Sequence, residues 1–152
     1  MILGWIKTII DQKRKALLMT QLTTDAVTKI HDDLIKKGGK ARGTICEGTI
    51  DYVVGNINDD GGVYTKAAWA LYMSRLNPFV DGNKRTCFTL AAIILRINGH
   101  WLGKGDEEEI FQVLHKISDA NVDCDIQRIE EWLKTRSVKW WKLKQRPLTD
   151  YL

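Results

Sequence analysis

Pro78 separates two long runs of helix-forming residues. The first run, "VYTKAAWALYMSRL", extends from Val63 to Leu76, and a proline disfavours helical geometry at the residue before it, Asn77. The second run, "KRTCFTLAAIILRING", is apolar almost all round and ends at Gly99. The sequence therefore predicts two helices joined by a short loop that begins at Asn77, with the second helix buried at the centre of the fold.

Three further segments also have helical patterns. One helix is expected to begin at Thr23 or Thr24, either of which can cap its free amides, and to end at the Gly38–Gly39 pair. Two more are expected at about residues 106–118 and 125–136, and the acidic run 107–109 suits the N-terminal dipole of the first of these. The predicted fold class is therefore all-α, a helical bundle.

The stretch from Glu47 to about Ile57 places its apolar residues on one face, and the turn formers of "NINDDGG" then interrupt the pattern. We expect a short exposed flap or hairpin here, before the loop that begins at Asn77.

Length and composition indicate one compact domain. The chain has 152 residues, of which 44% are hydrophobic, enough to bury a core without disulfides or metal. Its net charge of +4 favours anionic partners but is too small to indicate nucleic-acid binding. Three widely spaced cysteines without a CxxC motif indicate neither a disulfide framework nor a zinc site, and favour a reducing cytoplasm.

The two ends of the chain differ from the 22–136 region. Residues 1–21 are expected to form an amphipathic helix, because Lys7 and Asp11 interrupt the apolar run well short of the roughly 20 residues needed to span a membrane. Residues 137–152 form a basic, aromatic tail containing "KWWKLKQR", which could bind RNA, lipid or an acidic protein. Packing of its tryptophans onto the bundle is the favoured interpretation, so nucleic-acid binding is the weaker alternative.

The loop "NPFVDGNKRT" has the features of a phosphate site. Asp81-Gly82-Asn83 is a turn, and the free amides of the following helix carry partial positive charge. Lys84 and Arg85 oppose the dipole of that helix, which suggests that a bound anion compensates them. The Asp81 carboxylate is an oxygen ligand of the kind that Mg²⁺ takes when it also binds nucleotide phosphates. A solvated turn is the competing interpretation.

This loop resembles the signature of the Fic/Doc superfamily, and it is most similar to the death-on-curing (Doc) branch. The resemblance extends over about residues 22–136. It implies ATP and Mg²⁺ as cofactors, with Asp81 helping to bind the metal, Gly82 and Asn83 lining an anion hole, Arg85 contacting phosphate, and Phe79 anchoring the loop in the core.

Lys84 distinguishes two branches of that superfamily. Members that transfer AMP usually have glycine at this position, whereas the death-on-curing branch has lysine and is similar to a kinase that phosphorylates elongation factor Tu. A lysine also fills space that an inner phosphate would occupy. The resemblance therefore favours phosphoryl transfer to a hydroxyl of a target protein, possibly elongation factor Tu, over AMP transfer.

Asn77 occupies the position at which active relatives have a histidine as general base. An amide can position a hydroxyl but cannot deprotonate it, and a general base typically contributes 10²–10⁴-fold to a rate. Three explanations are compatible with the sequence: a toxin disabled by substitution, a pseudoenzyme that binds nucleotide or a partner, or a base supplied by another residue. His31, His100 and His115 have no spacing typical of a metal site, and none is predicted to be that base.

Regulation is also implied by the resemblance. Many relatives carry an inhibitory helix with a glutamate that faces the signature arginine, and residues 1–22 contain no such pattern. We therefore expect a cognate antitoxin to act in trans.

Overall fold

The computed structural model describes residues 21–38, 43–59, 61–102 and 107–139. These ranges contain six helices and two short strands, and they confirm the all-α class. The N-terminal helix expected in residues 1–21 lies almost wholly outside them, as does the tail after residue 139. The elements are α1 (Thr24–Gly38), α2 (Glu47–Asn58), α3 (Val63–Leu76), α4 (Asn83–Ile97), β1 (His100–Leu102), α5 (Glu107–Ser118), α6 (Ile126–Arg136) and β2 (Ser137–Lys139).

The core is built around α3 and α4. Helix α3 packs against α2, α4, α5 and α6, and α1 covers another side of α4. From Thr86 to Leu95 every residue of α4 except Ala92 is buried, as the almost uniformly apolar sequence predicts. The loop between α3 and α4 is therefore attached at both ends to the two helices at the centre of the core.

The helix ends agree with the sequence signals. Ala26 donates its amide to Thr23 Oγ1 at 3.1 Å, so Thr23 caps α1. Asp125 caps α6 in the same way, through a 2.9 Å hydrogen bond from the Arg128 amide. Gly99 has a φ of 79° directly after α4, a left-handed conformation that favours glycine and ends the helix.

The first three residues of "NINDDGG", where a flap or hairpin was expected, belong instead to a helix. Residues 47–58 form a continuous helix, because four aliphatic side chains recur at helical spacing and are buried in the core. The turn formers after Ile57 make only a short connection to α3. The buried side chains of α2 are those of Ile50, Val53, Val54 and Ile57.

The beginning of the predicted tail belongs to the folded body. Strand β2 pairs antiparallel with β1, with His100 opposite Lys139 and Leu102 opposite Ser137. Within the described ranges, no helix is both long enough and apolar enough to cross a membrane.

Candidate functional site

A cavity of about 300 Å³ opens beside the loop that joins α3 to α4. Most of the residues singled out from the sequence line it, and residues from the loop and from α5 complete the wall. Phe79 is the exception, because it is fully buried beneath the loop and does not line the cavity. The predicted residues in the wall are Asn77, Asp81, Gly82, Asn83, Lys84 and Arg85, and the additional ones are Val80, Phe111 and His115.

Helix α1 supports the loop from beneath through His31. The imidazole is buried and stacks on the Phe79 ring, with 3.8 Å between ring centroids and 5° between the planes. Its Nε2 lies 2.7 Å from the Asp81 carbonyl oxygen. Because a carbonyl only accepts hydrogen bonds, Nε2 carries the proton and donates it. His31 therefore fixes both the buried ring and the turn of the loop, a role that its sequence position did not reveal.

Asn83 closes the loop on itself. Its side-chain oxygen accepts a hydrogen bond from the Phe79 amide at 3.0 Å, and its side-chain nitrogen donates to the Phe79 carbonyl at 2.9 Å. Both ends of the amide are therefore committed to the backbone. Asn83 lines the cavity, but it holds the shape of the loop instead of offering its side-chain amide to an anion.

Asp81 and Gly82 form the tightest part of the turn. Gly82 has a φ of 78°, and a Cβ at this position would lie 2.9 Å from Ile35 Cδ1 on α1. The Gly82 amide donates to the Asp81 carboxylate at 2.7 Å. Glycine is required here both by the backbone conformation and by the close approach of α1.

Helix α4 begins at the cavity. The Thr86 amide donates to the Gly82 carbonyl at 3.0 Å, so the first intrahelical hydrogen bond closes there. The amides of residues 83–85 precede that bond and have no intrahelical acceptor, and no side chain caps this helix. A helix N-terminus of this kind attracts anions through these amides and through the helix dipole.

Two basic side chains flank the same helix end. Lys84 and Arg85 both line the cavity and are half-buried. The Arg85 guanidinium extends back to the end of α1, where its Nη1 lies 2.6 Å from the position that a Cβ on Gly38 would occupy. A glycine at the end of α1 thus leaves the space that the guanidinium fills, and Arg85 spans α1 and the cavity wall.

Asn77 ends α3 in the left-handed region, with φ 46° and ψ 57°. Asparagine and histidine are among the non-glycine residues that adopt this conformation most readily. The side chain is exposed and lines the cavity, so it occupies the mouth of the loop as the sequence predicts. The backbone at this position would accept a histidine as readily as the asparagine.

A short extended segment runs along the other side of the loop. Thr44 forms an isolated antiparallel bridge with Phe79, the Val80 amide donates to the Gly43 carbonyl at 3.0 Å, and the Ile45 and Cys46 amides donate to the Pro78 carbonyl. This segment lies before α2 in the chain, earlier than the flap that the sequence suggested. It gives the loop a backbone hydrogen-bonding partner in addition to the support from His31.

Helix α5 contributes Phe111 and His115, one turn apart, to the wall of the cavity. No local motif marks either residue, and the sequence predicted no role for His115 as the base. Only the packing of α5 against α3 brings them beside a loop that lies more than 25 residues earlier in the chain.

Asp81 is the acidic residue among those that line the cavity. Within the described ranges, no three histidine, cysteine, aspartate or glutamate side chains are close enough together to form a metal site. A divalent cation would therefore have one protein carboxylate at most as an acidic ligand, and its other ligands would have to be water and the bound anion. This is the way in which Mg²⁺ is held with nucleotide phosphates.

No protein-family model and no curated protein sequence matches this chain.

Proposed function

We propose that this chain binds ATP with Mg²⁺ in the 300 Å³ cavity and transfers the γ-phosphoryl group to a hydroxyl of a target protein. The observation that carries this proposal is the convergence of Asp81, Lys84, Arg85 and the uncapped N-terminus of α4 on one cavity. The volume is at the lower end of the range for ligand pockets, so it suits the phosphates, and part of the nucleotide would extend beyond it.

The charges in the wall suit a polyphosphate. Lys84, Arg85 and the partial positive charge of α4 face a single carboxylate, that of Asp81. Asp81 would hold Mg²⁺ together with the phosphates, and the ion when bound would neutralise charge on the phosphoryl group. Because the protein supplies so few ligands, we expect Mg²⁺ to bind weakly in the absence of nucleotide.

Lys84 favours phosphoryl transfer over AMP transfer. It lines the cavity beside the helix end, where its charge would attract a phosphate and its length would occupy space otherwise available to one. The AMP-transferring function remains the alternative for the same site. By resemblance, the enzyme would act in the cytoplasm on a target such as elongation factor Tu, and an antitoxin in trans would restrain it.

A catalytically inactive nucleotide-binding or partner-binding protein is the second candidate. The observation that favours it is Asn77, which lines the cavity where a general base is expected and whose amide is not basic. The proposed transferase and the nucleotide-binding form of the second candidate both require nucleotide binding. They differ in whether the unaltered chain has any turnover.

Calorimetry with ATP tests the site itself. We expect binding by the unaltered chain when Mg²⁺ is present, and weaker binding after Asp81→Asn or Arg85→Ala. Glu131→Gln serves as the control, because Glu131 is exposed on α6 and does not line the cavity. An absence of binding at millimolar Mg·ATP would contradict the proposed transferase and the nucleotide-binding form of the second candidate, and would leave a purely structural or partner-binding role.

Labelled ATP tests the reaction. The Asn77→His variant is expected to transfer label from the γ position to a protein acceptor faster than the unaltered chain, and about 10²–10⁴-fold faster if the unaltered chain has no other base. The left-handed backbone at residue 77 tolerates the change. If only label from the α position reaches the acceptor, the reaction is AMP transfer and phosphoryl transfer is contradicted.

A further inference from the structure

The cavity contains an imidazole that the sequence motif does not include. His115, from the last turn of α5, lines the same cavity as Asn77, Asp81 and Lys84. It is exposed, so its ring is accessible to a bound molecule. Histidine is the side chain that ordinarily exchanges a proton near neutral pH.

The other polar side chains in the wall are poorly suited to accept a proton. Lysine and arginine are ordinarily cationic at neutral pH, and a carboxylate is a weaker base than an imidazole. Asp81 is also occupied by a 2.7 Å hydrogen bond from the Gly82 amide. Asn77 has a neutral amide, so His115 is the best base among the described residues of the wall.

Arg75 fixes the turn that carries His115 relative to the end of α3. Its guanidinium donates hydrogen bonds of 2.9–3.3 Å to four carbonyls that follow His115 in the chain. Arg75 lies two residues before Asn77, so the same short segment of α3 positions residue 77 and anchors the end of α5. These hydrogen bonds anchor the end of α5 just after His115, whereas the His115 ring itself is exposed. The four carbonyls are those of Ile117, Asp119, Ala120 and Val122.

We propose that His115 accepts the proton of the attacking hydroxyl, in place of the side chain at position 77. This inference rests on the proposed function. The hydroxyl oxygen forms a bond to the γ-phosphorus, the bond between that phosphorus and the β,γ-bridging oxygen breaks, and ADP leaves with the electron pair. The hydroxyl proton moves to a ring nitrogen of His115 and then to water.

A double-mutant cycle separates this role from others. The measurement is ADP release from Mg·ATP with water as the acceptor, so that no protein substrate is required. In the unaltered background, His115→Gln is expected to lower kcat at least about 10²-fold while the ATP dissociation constant measured by calorimetry stays the same. In the Asn77→His background, where a second imidazole is present, His115→Gln is expected to change kcat less than about threefold.

Each other outcome overturns the proposal. An equal loss in both backgrounds, or a weaker ATP affinity with unchanged kcat, would make His115 a ligand contact. An unchanged kcat in the unaltered background would leave His115 as a side chain in the last turn of α5 with no part in proton transfer. If the unaltered chain binds Mg·ATP but releases no ADP, His115 is not a functional base although the nucleotide site stands. Failure to bind Mg·ATP at all would instead contradict the proposed function.

Discussion

The imidazole of His31 lies flat against the Phe79 ring and donates a 2.7 Å hydrogen bond to the carbonyl of Asp81. A residue of α1 thus holds the loop at two points, one apolar and one polar, 48 and 50 residues away in the chain. The cavity beside the loop has its shape because this contact and the Asn83 bonds to Phe79 fix the backbone.

Replacing His31 by alanine is expected to lower the free energy of unfolding by about 2–4 kcal/mol, because the variant loses a buried ring contact and leaves the Asp81 carbonyl without its donor. Chemical denaturation measures this loss. His115→Gln is the matched control, since His115 is exposed and its replacement should change the free energy of unfolding by no more than about 0.5 kcal/mol. Similar losses in both variants would contradict a structural role specific to His31.

Gly82→Ala is expected to cost at least about 1–2 kcal/mol of stability, since the residue has a φ of 78° and the new methyl group would lie 2.9 Å from Ile35 Cδ1. Gly55 on α2 provides the opposite case. A Cβ there meets nothing within 4 Å, so Gly55→Ala should stabilise the helix by about 0.5–1 kcal/mol. Thermal unfolding of the two variants should shift in opposite directions, and a shift of the same sign would refute this explanation.

Arg75→Met is expected to reduce stability by about 2–4 kcal/mol, because carbonyls at the end of α5 lose a charged donor and two of those contacts are partly buried. Arg128→Met is the control. Arg128 and its partner Asp123 are 60% and 85% exposed, and an exposed ion pair contributes about 0–1 kcal/mol. Denaturation midpoints compare the two. Arg75→Met should also slow ADP release if His115 acts as proposed, whereas Arg128→Met should not.

Cys46 is expected to react with iodoacetamide faster than Cys87 and Cys124. Hydrogen bonds from the side chain and backbone of Thr49 lower the pKa of the exposed Cys46 thiol, so more of it is thiolate at neutral pH. Burial raises the pKa of the other two thiols, which therefore react more slowly.

The folded protein is alkylated for increasing times, and mass spectrometry then gives the reaction rate at each cysteine. Thr49→Val removes the side-chain donor and should slow the reaction at Cys46 without changing the other two. A faster reaction at Cys87 than at Cys46 would contradict the burial of Cys87 in α4.

The helices followed from local signals in the sequence. The cap at Thr23, the stop at Gly99 and the apolar run of α4 all depend on residues that are neighbours in the chain, and each appears where it was predicted. The motif residues from Asn77 to Arg85 are consecutive in the same way. Most of them line one cavity because residues of one short, tight loop lie close together in space.

The stretch after Glu47 shows where local signals were insufficient. Its turn-forming residues suggested a flap, but burial of its apolar face against α3 stabilises a full helix, and that contact is not encoded locally. The extended partner of the loop is the earlier segment around Thr44. Contacts between residues far apart in the chain therefore determined both the helix at residues 47–58 and the backbone partner of the loop.

The sequence by itself determined most of the helices and the position of the loop between α3 and α4, because helix propensity, capping and turn formation act between residues that are close in the chain. Only the tertiary structure decided that His31 supports that loop and that His115 shares its cavity. Neither position has a local pattern that distinguishes it from an ordinary histidine. Their roles arise from helices that pack together after the chain has folded, and the energy of those contacts depends on distance in space instead of separation in sequence.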